Sequence, residues 1–236
     1  MRNSLILLQL LALWVAPGGA VQDKPNSLTG SEQSAGWRLL FNGTDFDGWR
    51  GYRMQGAPKA GWEIKDGLLK TVPGVSGRQL ITVEKFDDFE FSWEWKIARG
   101  GNNGIKYFVT EERPAAPGHE YQMIDDNENE DGRSAPNQAT ASFYDVLAPS
   151  GARPNPVGEW NVSKVVVKGA HVEHWLNGQR VLEYEAGSDT LRQALSKSKF
   201  AAIKGLGAKI RGHIMLTYHH DECWFRNLKI RELRGE

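Results

Sequence analysis

Hydrophobic and polar residues alternate without a break from Asp88 to Ile97. A period of two residues is typical of a strand that buries one side and exposes the other. The apolar side consists of Phe89, Phe91, Trp93, Trp95 and Ile97. The pattern therefore predicts a long strand that delivers aromatic side chains to a core.

Two turn sequences divide the next clear apolar region, residues 164–184, into three runs. Gly169-Ala170 follows the first run, and Asn177-Gly178 separates the other two. Asn-Gly between β-rich runs favours a tight hairpin, because both residues tolerate a positive φ. We predict three antiparallel strands here. Further strands are predicted at residues 62–70, 103–110, 120–124, 213–219 and 223–232.

One segment, residues 190–199, carries a helical pattern. Thr190 and Gln193 stand at the spacing of a capping box, and leucines follow at positions 191 and 195. Many short strands, frequent turns and one short helix predict an all-β sandwich or jelly roll.

The first residues have the features of a secretory signal peptide. A basic start precedes an apolar run from Leu5 to Val15, and small residues follow up to Ala20. The run is shorter than the roughly 20 apolar residues that cross a bilayer, so no membrane span is expected. We expect a signal peptide over residues 1–20, a flexible polar leader over residues 21–35 and one domain over residues 36–236. The protein would then be secreted, periplasmic or attached to the cell surface.

Charge and cysteine content exclude some functions. The chain has 29 basic and 29 acidic side chains, which argues against nucleic acid as a main partner. Cys223 is the single cysteine, so an internal disulfide is excluded even for an exported chain. Stability must come from the core.

Several short blocks between Leu40 and Asn227 carry a further signal. They are Leu40-Phe41-Asn42-Gly43 with Gly48-Trp49, and residues 62–68, 101–108, 118–126, 158–161, 175–178 and 224–227. In this order they resemble the 3-keto-disaccharide hydrolase family, whose fold is the concanavalin A-like jelly roll of lectins and glucanases. The resemblance implies an enzyme that cleaves 3-keto-glycosides, with a functional link to a sugar 3-oxidoreductase and no organic cofactor.

The residues themselves argue against ordinary glucanase chemistry. A retaining glucanase on this scaffold places acidic residues at alternate positions of one strand, so that two carboxylates flank the bond. The comparable segment here has Glu120, Gln122 and Ile124, and the acid pair is missing.

Cleavage of a 3-keto sugar does not need that pair of carboxylates. The ketone at C3 makes the proton on C2 more acidic, so a base can remove it. Elimination then needs only an acid for the leaving oxygen and a positive charge near the enolate. Water adds to the product of the elimination.

The blocks contain candidates for each role. We predict catalytic roles for Glu120, His219 and Lys106, substrate binding by Asn102, Asn103, Gln122 and Tyr107, and binding of a divalent cation by Asp125 and Asp126. Glu120 would act as a base or a ligand, and His219 would carry a proton near neutral pH. Lys106 or the cation would stabilise the enolate.

Structural roles are the alternatives for these residues. Glu120 and Gln122 share one strand face and can pair across strands, and Asp125-Asp126-Asn127 is an ordinary turn composition. The corresponding alternatives for the whole protein are a non-catalytic carbohydrate-binding module and a laminin-like adhesive domain.

Overall fold

The computed structural model describes residues 24–113 and 117–233. The predicted signal peptide and the first residues of the predicted leader lie outside these ranges. The described strands are β1 (Arg38–Leu39), β2 (Trp49–Gly51), β3 (Trp62–Lys65), β4 (Leu68–Thr71), β5 (Leu80–Thr82), β6 (Phe89–Ile97), β7 (Asn102–Val109), β8 (His119–Ile124), β9 (Asn161–Lys168), β10 (His171–Leu176), β11 (Gln179–Glu185), β12 (His213–Leu216) and β13 (Cys223–Glu232).

These strands form two antiparallel sheets. The front sheet has the order β2-β5-β12-β7-β8, and the back sheet has the order β11-β10-β9-β6-β13-β4-β3, with β1 also paired to β13. The prediction of an all-β jelly-roll sandwich is confirmed. No helix in the described ranges combines the length and the apolar character that a membrane span requires.

The strand predictions hold with two corrections, and β1, β2 and β5 were not predicted. The first correction is that β12 ends at Leu216, whereas the predicted strand ran to residue 219. β6 buries Trp93 and Trp95 in the core as its alternation predicts, and β9 to β11 form the predicted meander. The second correction is that residues 62–70, predicted as one strand, are a hairpin. Asp66 and Gly67 both have a positive φ, and they turn the chain between β3 and β4.

The described helices are α1 (Gly30–Ser34), α2 (Glu130–Ser134) and α3 (Asp189–Ser196), with a 3-10 turn at Pro136–Gln138. The predicted helix is therefore present as α3, but two more short helices accompany it. Ser188, rather than Thr190, caps α3, because its side chain accepts a hydrogen bond from the backbone N–H of Leu191.

Residues 24–35 pack against the back sheet, whereas the sequence suggested a flexible leader. The backbone N–H of Asn26 donates to the side chain of Asn227, and the backbone N–H of Asn227 donates to the side chain of Asn26. Glu32 of α1 forms an ion pair with Lys229 of β13. The polar composition that suggested flexibility supplies the partners for this docking.

A connected set of polar side chains lies inside the core between the sheets. The hydroxyl of Tyr107 lies 2.7 Å from Nε2 of His174 and 2.7 Å from the hydroxyl of Tyr184, which lies 2.7 Å from Nδ1 of His119. Burial lowers the pKa of His119 to about 3 and that of His174 to about 4. Both histidines are therefore neutral in the folded protein at physiological pH.

This burial predicts a loss of stability in mild acid. An unfolded histidine titrates near pH 6.5, so protons favour the unfolded chain as the pH falls from that value toward the folded pKa. Between pH 7.5 and pH 5.5, His119 and His174 should each lower the free energy of unfolding by about 1.4 kcal/mol. Denaturant unfolding at the two pH values measures the effect.

The matched variant is His174→Gln, which removes one of the two titrations. This variant should retain about half of the change in unfolding free energy that His119 and His174 together contribute between pH 7.5 and pH 5.5. An unfolding free energy with the same pH dependence in both proteins would contradict this account of the buried histidines.

Candidate functional site

A cavity of about 290 Å³ opens on the outer side of the front sheet, over β7 and β8. It is lined by Asn102, Lys106, Glu120, Gln122, Asp131, Tyr144, Lys199, Phe200 and His219. We call it the sheet pocket. A cavity of about 540 Å³ near Asp125 is larger, but ionisable groups of both signs and a histidine converge only on the sheet pocket among the described cavities.

The register of β7 and β8 creates an ion pair at the floor of the sheet pocket. Lys106 lies opposite Glu120, and its Nζ is 2.8 Å from Oε2 of Glu120. The side chains are 16% and 7% exposed, respectively, so each charge is largely removed from water and depends on the other.

Gly104 provides the space for the Glu120 carboxylate. A Cβ atom at position 104 would lie 2.6 Å from Oε1 of Glu120 and 3.2 Å from the carbonyl oxygen of Tyr121. The carboxylate therefore lies where a side chain of the neighbouring strand would otherwise project. A glycine at this position is a requirement of the ion pair rather than of backbone conformation.

His219 reaches the sheet pocket from the residues that follow β12. Its side chain is exposed, and neither ring nitrogen has a hydrogen-bond partner among the described residues. Partial desolvation by the pocket walls lowers the pKa of His219, outweighing the opposite effect of the nearby Glu120 carboxylate. The imidazole is therefore unprotonated at neutral pH and free to accept a proton.

The opposite wall comes from the segment between β8 and β9. The backbone N–H of Ala141 donates to the carbonyl of Gln122, and the backbone N–H of Tyr144 donates to the carbonyl of Glu120. These bonds attach the segment to the free edge of β8. As a result, the Tyr144 side chain stands beside the strand that carries Glu120.

A hydrogen-bonded chain runs along this wall. The hydroxyl of Tyr144 donates to Oδ2 of Asp131 at 2.8 Å and accepts from Nζ of Lys199 at 3.0 Å. Asn102 joins this chain to β8, since it donates to Asp131 and accepts from Gln122. Burial, aided by the hydrogen bond to the Asp131 carboxylate, raises the pKa of Tyr144, so its hydroxyl stays protonated.

The sheet pocket brings together five of the predicted site residues, namely Lys106, Glu120, Gln122, Asn102 and His219. Tyr107 and Asn103 do not line it. Because β7 alternates, Tyr107 points into the core and binds His174 and Tyr184, and Asn103 is buried against Thr217. Sequence reasoning missed Asp131, Tyr144 and Lys199. Asp131 lies in α2 and the other two lie in loops, all of them far from β7 in sequence.

Asp125 and Asp126 lie away from the sheet pocket and beside the larger cavity. Both oxygens of Asp125 accept backbone N–H groups, with the Gly100 nitrogen 2.7 Å from Oδ2, and Oδ1 of Asp126 accepts from the Thr140 nitrogen at 2.8 Å. These bonds stabilise the turn after β8. A cation bound by Asp125 and Asp126 would therefore lie beside the larger cavity and outside the sheet pocket.

Another group of potential metal ligands lies on the back sheet. Donor atoms of His171, Glu173 and Glu183 lie within 4.8 Å of one another. The guanidinium of Arg180 already contacts both carboxylates, at 3.0 Å from Glu173 and 2.8 Å from Glu183. The side chain of Arg180 therefore already pairs with both carboxylates of this group.

Fold and site together define a β-sandwich domain with a compact, ionisable pocket on its front sheet. Residues 36–231 match a family model described as the 3-keto-alpha-glucoside-1,2-lyase-like domain. The chain therefore belongs to this family, as its sequence blocks indicated.

Two relatives are consistent with this membership. A 3-keto-disaccharide hydrolase of Bacteroides thetaiotaomicron is 32% identical over 231 residues, which cover 84% of this chain and 79% of the relative. A crystal structure from Parabacteroides distasonis, of a protein named provisionally as a glycosyl hydrolase, is 34% identical. It superimposes with a TM-score of 0.79 and covers 89% of this chain and 100% of its own.

Proposed function

We propose that this protein is an exported enzyme that cleaves the glycosidic bond of 3-keto-glycosides by removing the C2 proton, expelling the C1 oxygen and adding water. Family membership and the 32% identical 3-keto-disaccharide hydrolase support the substrate class. One observation carries the mechanism. The imidazole of His219, which makes no hydrogen bond within residues 24–113 and 117–233, lines the same small pocket as the Lys106–Glu120 ion pair.

His219 is the base in this proposal. Its neutral imidazole takes the C2 proton, and the electrons of the C–H bond form the enolate with the C3 carbonyl. The Lys106 ammonium stabilises the negative charge that develops on the C3 oxygen. Glu120 holds the Lys106 ammonium in place through the ion pair. Glu120 was predicted from the sequence to act as a base or a ligand. Here it is the ion-pair partner of Lys106 instead, because its carboxylate is buried and paired. The His219 side chain is exposed and makes no hydrogen bond to another described residue.

The second half of the reaction completes a net hydrolysis. The enolate reforms the ketone as the C1–O bond breaks, which leaves a C1=C2 double bond conjugated with C3. Water then adds to C1, and the His219 imidazolium returns its proton to C2. The products are a 3-keto sugar and the free alcohol. The ketone in the substrate has to be supplied by an enzyme that oxidises a sugar hydroxyl at C3.

The decisive experiment compares a 3-keto-glucoside with the same glucoside before oxidation. Release of the alcohol from the ketone alone is the expected result. Cleavage of both compounds would indicate ordinary glycosidase chemistry, and binding without cleavage of either would identify a carbohydrate-binding module. Parallel reactions with a chelator, and with metal restored, determine whether a divalent cation takes part.

Replacing Gly104 tests the geometry of the ion pair. Gly104→Ala is expected to lower kcat/KM for the 3-keto-glucoside by about 10- to 100-fold, because the new methyl group pushes the Glu120 carboxylate away and loosens Lys106. Steady-state kinetics and a thermal unfolding curve measure activity and folding together.

Gly30→Ala is the matched control, since no atom lies within 4 Å of the Cβ position at Gly30. It should retain full activity. An equally active Gly104→Ala protein would show that the position of the Glu120 carboxylate does not matter for the reaction.

A further inference from the structure

The elimination requires a proton for the departing C1 oxygen, and the groups assigned so far do not supply it. His219 receives the C2 proton, and Lys106 faces the enolate. An alkoxide is a poor leaving group, so a second proton donor in the pocket is needed for glycosides of ordinary alcohols. The wall opposite β7 contains one, the hydroxyl of Tyr144.

Tyr144 is held by two charged partners of opposite sign. Its hydroxyl donates to Asp131 and accepts from the ammonium of Lys199. Tyr144 is 8% exposed and lines the sheet pocket. The hydroxyl proton points to Asp131 in this structure and has to turn toward the departing oxygen during the reaction. The Lys199 ammonium then faces the phenolate that forms.

Lys199 is itself fixed by its surroundings. Its backbone N–H donates to Oδ2 of Asp145 at 2.8 Å, and its ammonium lies 4.2 Å from the centre of the Tyr144 ring and 5.4 Å from that of Phe200. An ammonium group restrained in this way adds to the local positive charge without having to reorganise during the reaction.

We propose that Tyr144 is the general acid that protonates the departing C1 oxygen, and that Lys199 and Asp131 are its positioning residues. This inference rests on the proposed cleavage of 3-keto-glycosides. As the C1–O bond breaks, the bonding pair stays on the glycosidic oxygen, which takes the phenolic proton. The Tyr144 phenolate forms beside Lys199. When water adds to C1, the phenolate takes a proton from it and the hydroxyl is restored.

The test uses leaving groups of different acidity. 4-Nitrophenol leaves without protonation, whereas methanol does not, so an acid catalyst matters only for the methyl glycoside. Tyr144→Phe should lower kcat/KM for methyl 3-keto-glucoside by about 100-fold or more and that for 4-nitrophenyl 3-keto-glucoside by less than about fivefold. Lys199→Met should show the same selectivity with a smaller loss, about tenfold for the methyl substrate.

Tyr52→Phe is the matched control, because the hydroxyl of Tyr52 contacts the carbonyl of Thr110 outside the sheet pocket. It should affect neither substrate. Equal losses on both substrates in Tyr144→Phe, or no loss on either, would overturn the proposal. If Tyr144→Phe fails to fold, Lys199→Met provides the test. A larger loss of kcat/KM for the methyl substrate than for the 4-nitrophenyl substrate supports the proposal, and equal losses overturn it. A wild-type protein that cleaves neither compound would instead refute the proposed function.

Discussion

His219→Ala is expected to lower kcat/KM for a 3-keto-glucoside by about 1,000-fold, since general base catalysis contributes roughly 10²- to 10⁴-fold. The imidazole of His219 is exposed, lines the sheet pocket and has no hydrogen-bond partner in the part of the chain that the structure describes. Its lowered pKa also fixes the pH profile. Because the base must be neutral, the acidic limb of kcat/KM should lie below pH 6.5, the usual value for histidine. Initial rates across the pH range measure both effects.

His220→Ala is the control for this substitution. The two histidines are adjacent and both exposed, but His220 packs its ring against Tyr218 and does not line the pocket. His220→Ala should keep the wild-type rate and pH profile. A fully active His219→Ala protein would require another base.

Lys106→Met is expected to lower kcat by about 10²- to 10³-fold, the usual loss when one preorganised donor to a developing oxyanion is removed. The effect should fall on kcat rather than KM, because the ammonium meets a full negative charge only in the transition state and the enolate. The substitution also leaves Glu120 buried without its partner. Folding should therefore weaken by about 3 kcal/mol, as measured by denaturant unfolding.

The double variant Glu120→Gln/Lys106→Met separates these two effects. Removing both charges together should restore most of the stability but none of the activity. Lys164→Met is the matched control, because Lys164 pairs with Glu90 at 3.8 Å on the back sheet, far from the pocket. Wild-type activity in Lys106→Met would show that the ammonium is not the enolate's counter-charge.

Periodicity and turn chemistry predicted most of the fold. The alternation of β6 identified a strand and its buried face, and Asn177-Gly178 identified a hairpin in which both residues have a positive φ. Asp66-Gly67 forms the same kind of turn but was missed, since only four residues flank it on each strand. A strand of four residues is too short for the alternation of apolar and polar positions to be recognised.

The candidate site was predictable where it lies on strands. Alternation along β8 predicted that Glu120 and Gln122 share one face. In the structure both line the sheet pocket, whereas His119 and Tyr121 are buried in the core. The same alternation applied to β7 separates Lys106 from Tyr107, which explains why Tyr107 belongs to the core. Tyr144 and Lys199 were not predictable. They lie 55 positions apart, and tertiary folding alone brings them into contact.

The two walls of the sheet pocket belong to different structural units. Lys106 and Glu120 stand on rigid, paired strands, whereas Asp131 and Tyr144 stand on the segment that follows β8 and lies along its edge. In the proposed reaction, the strands therefore carry the ion pair that faces the enolate, and the segment carries the groups that act on the departing oxygen. Grafting residues 130–147 from another family member should exchange aglycone preference while proton abstraction at C2 stays intact.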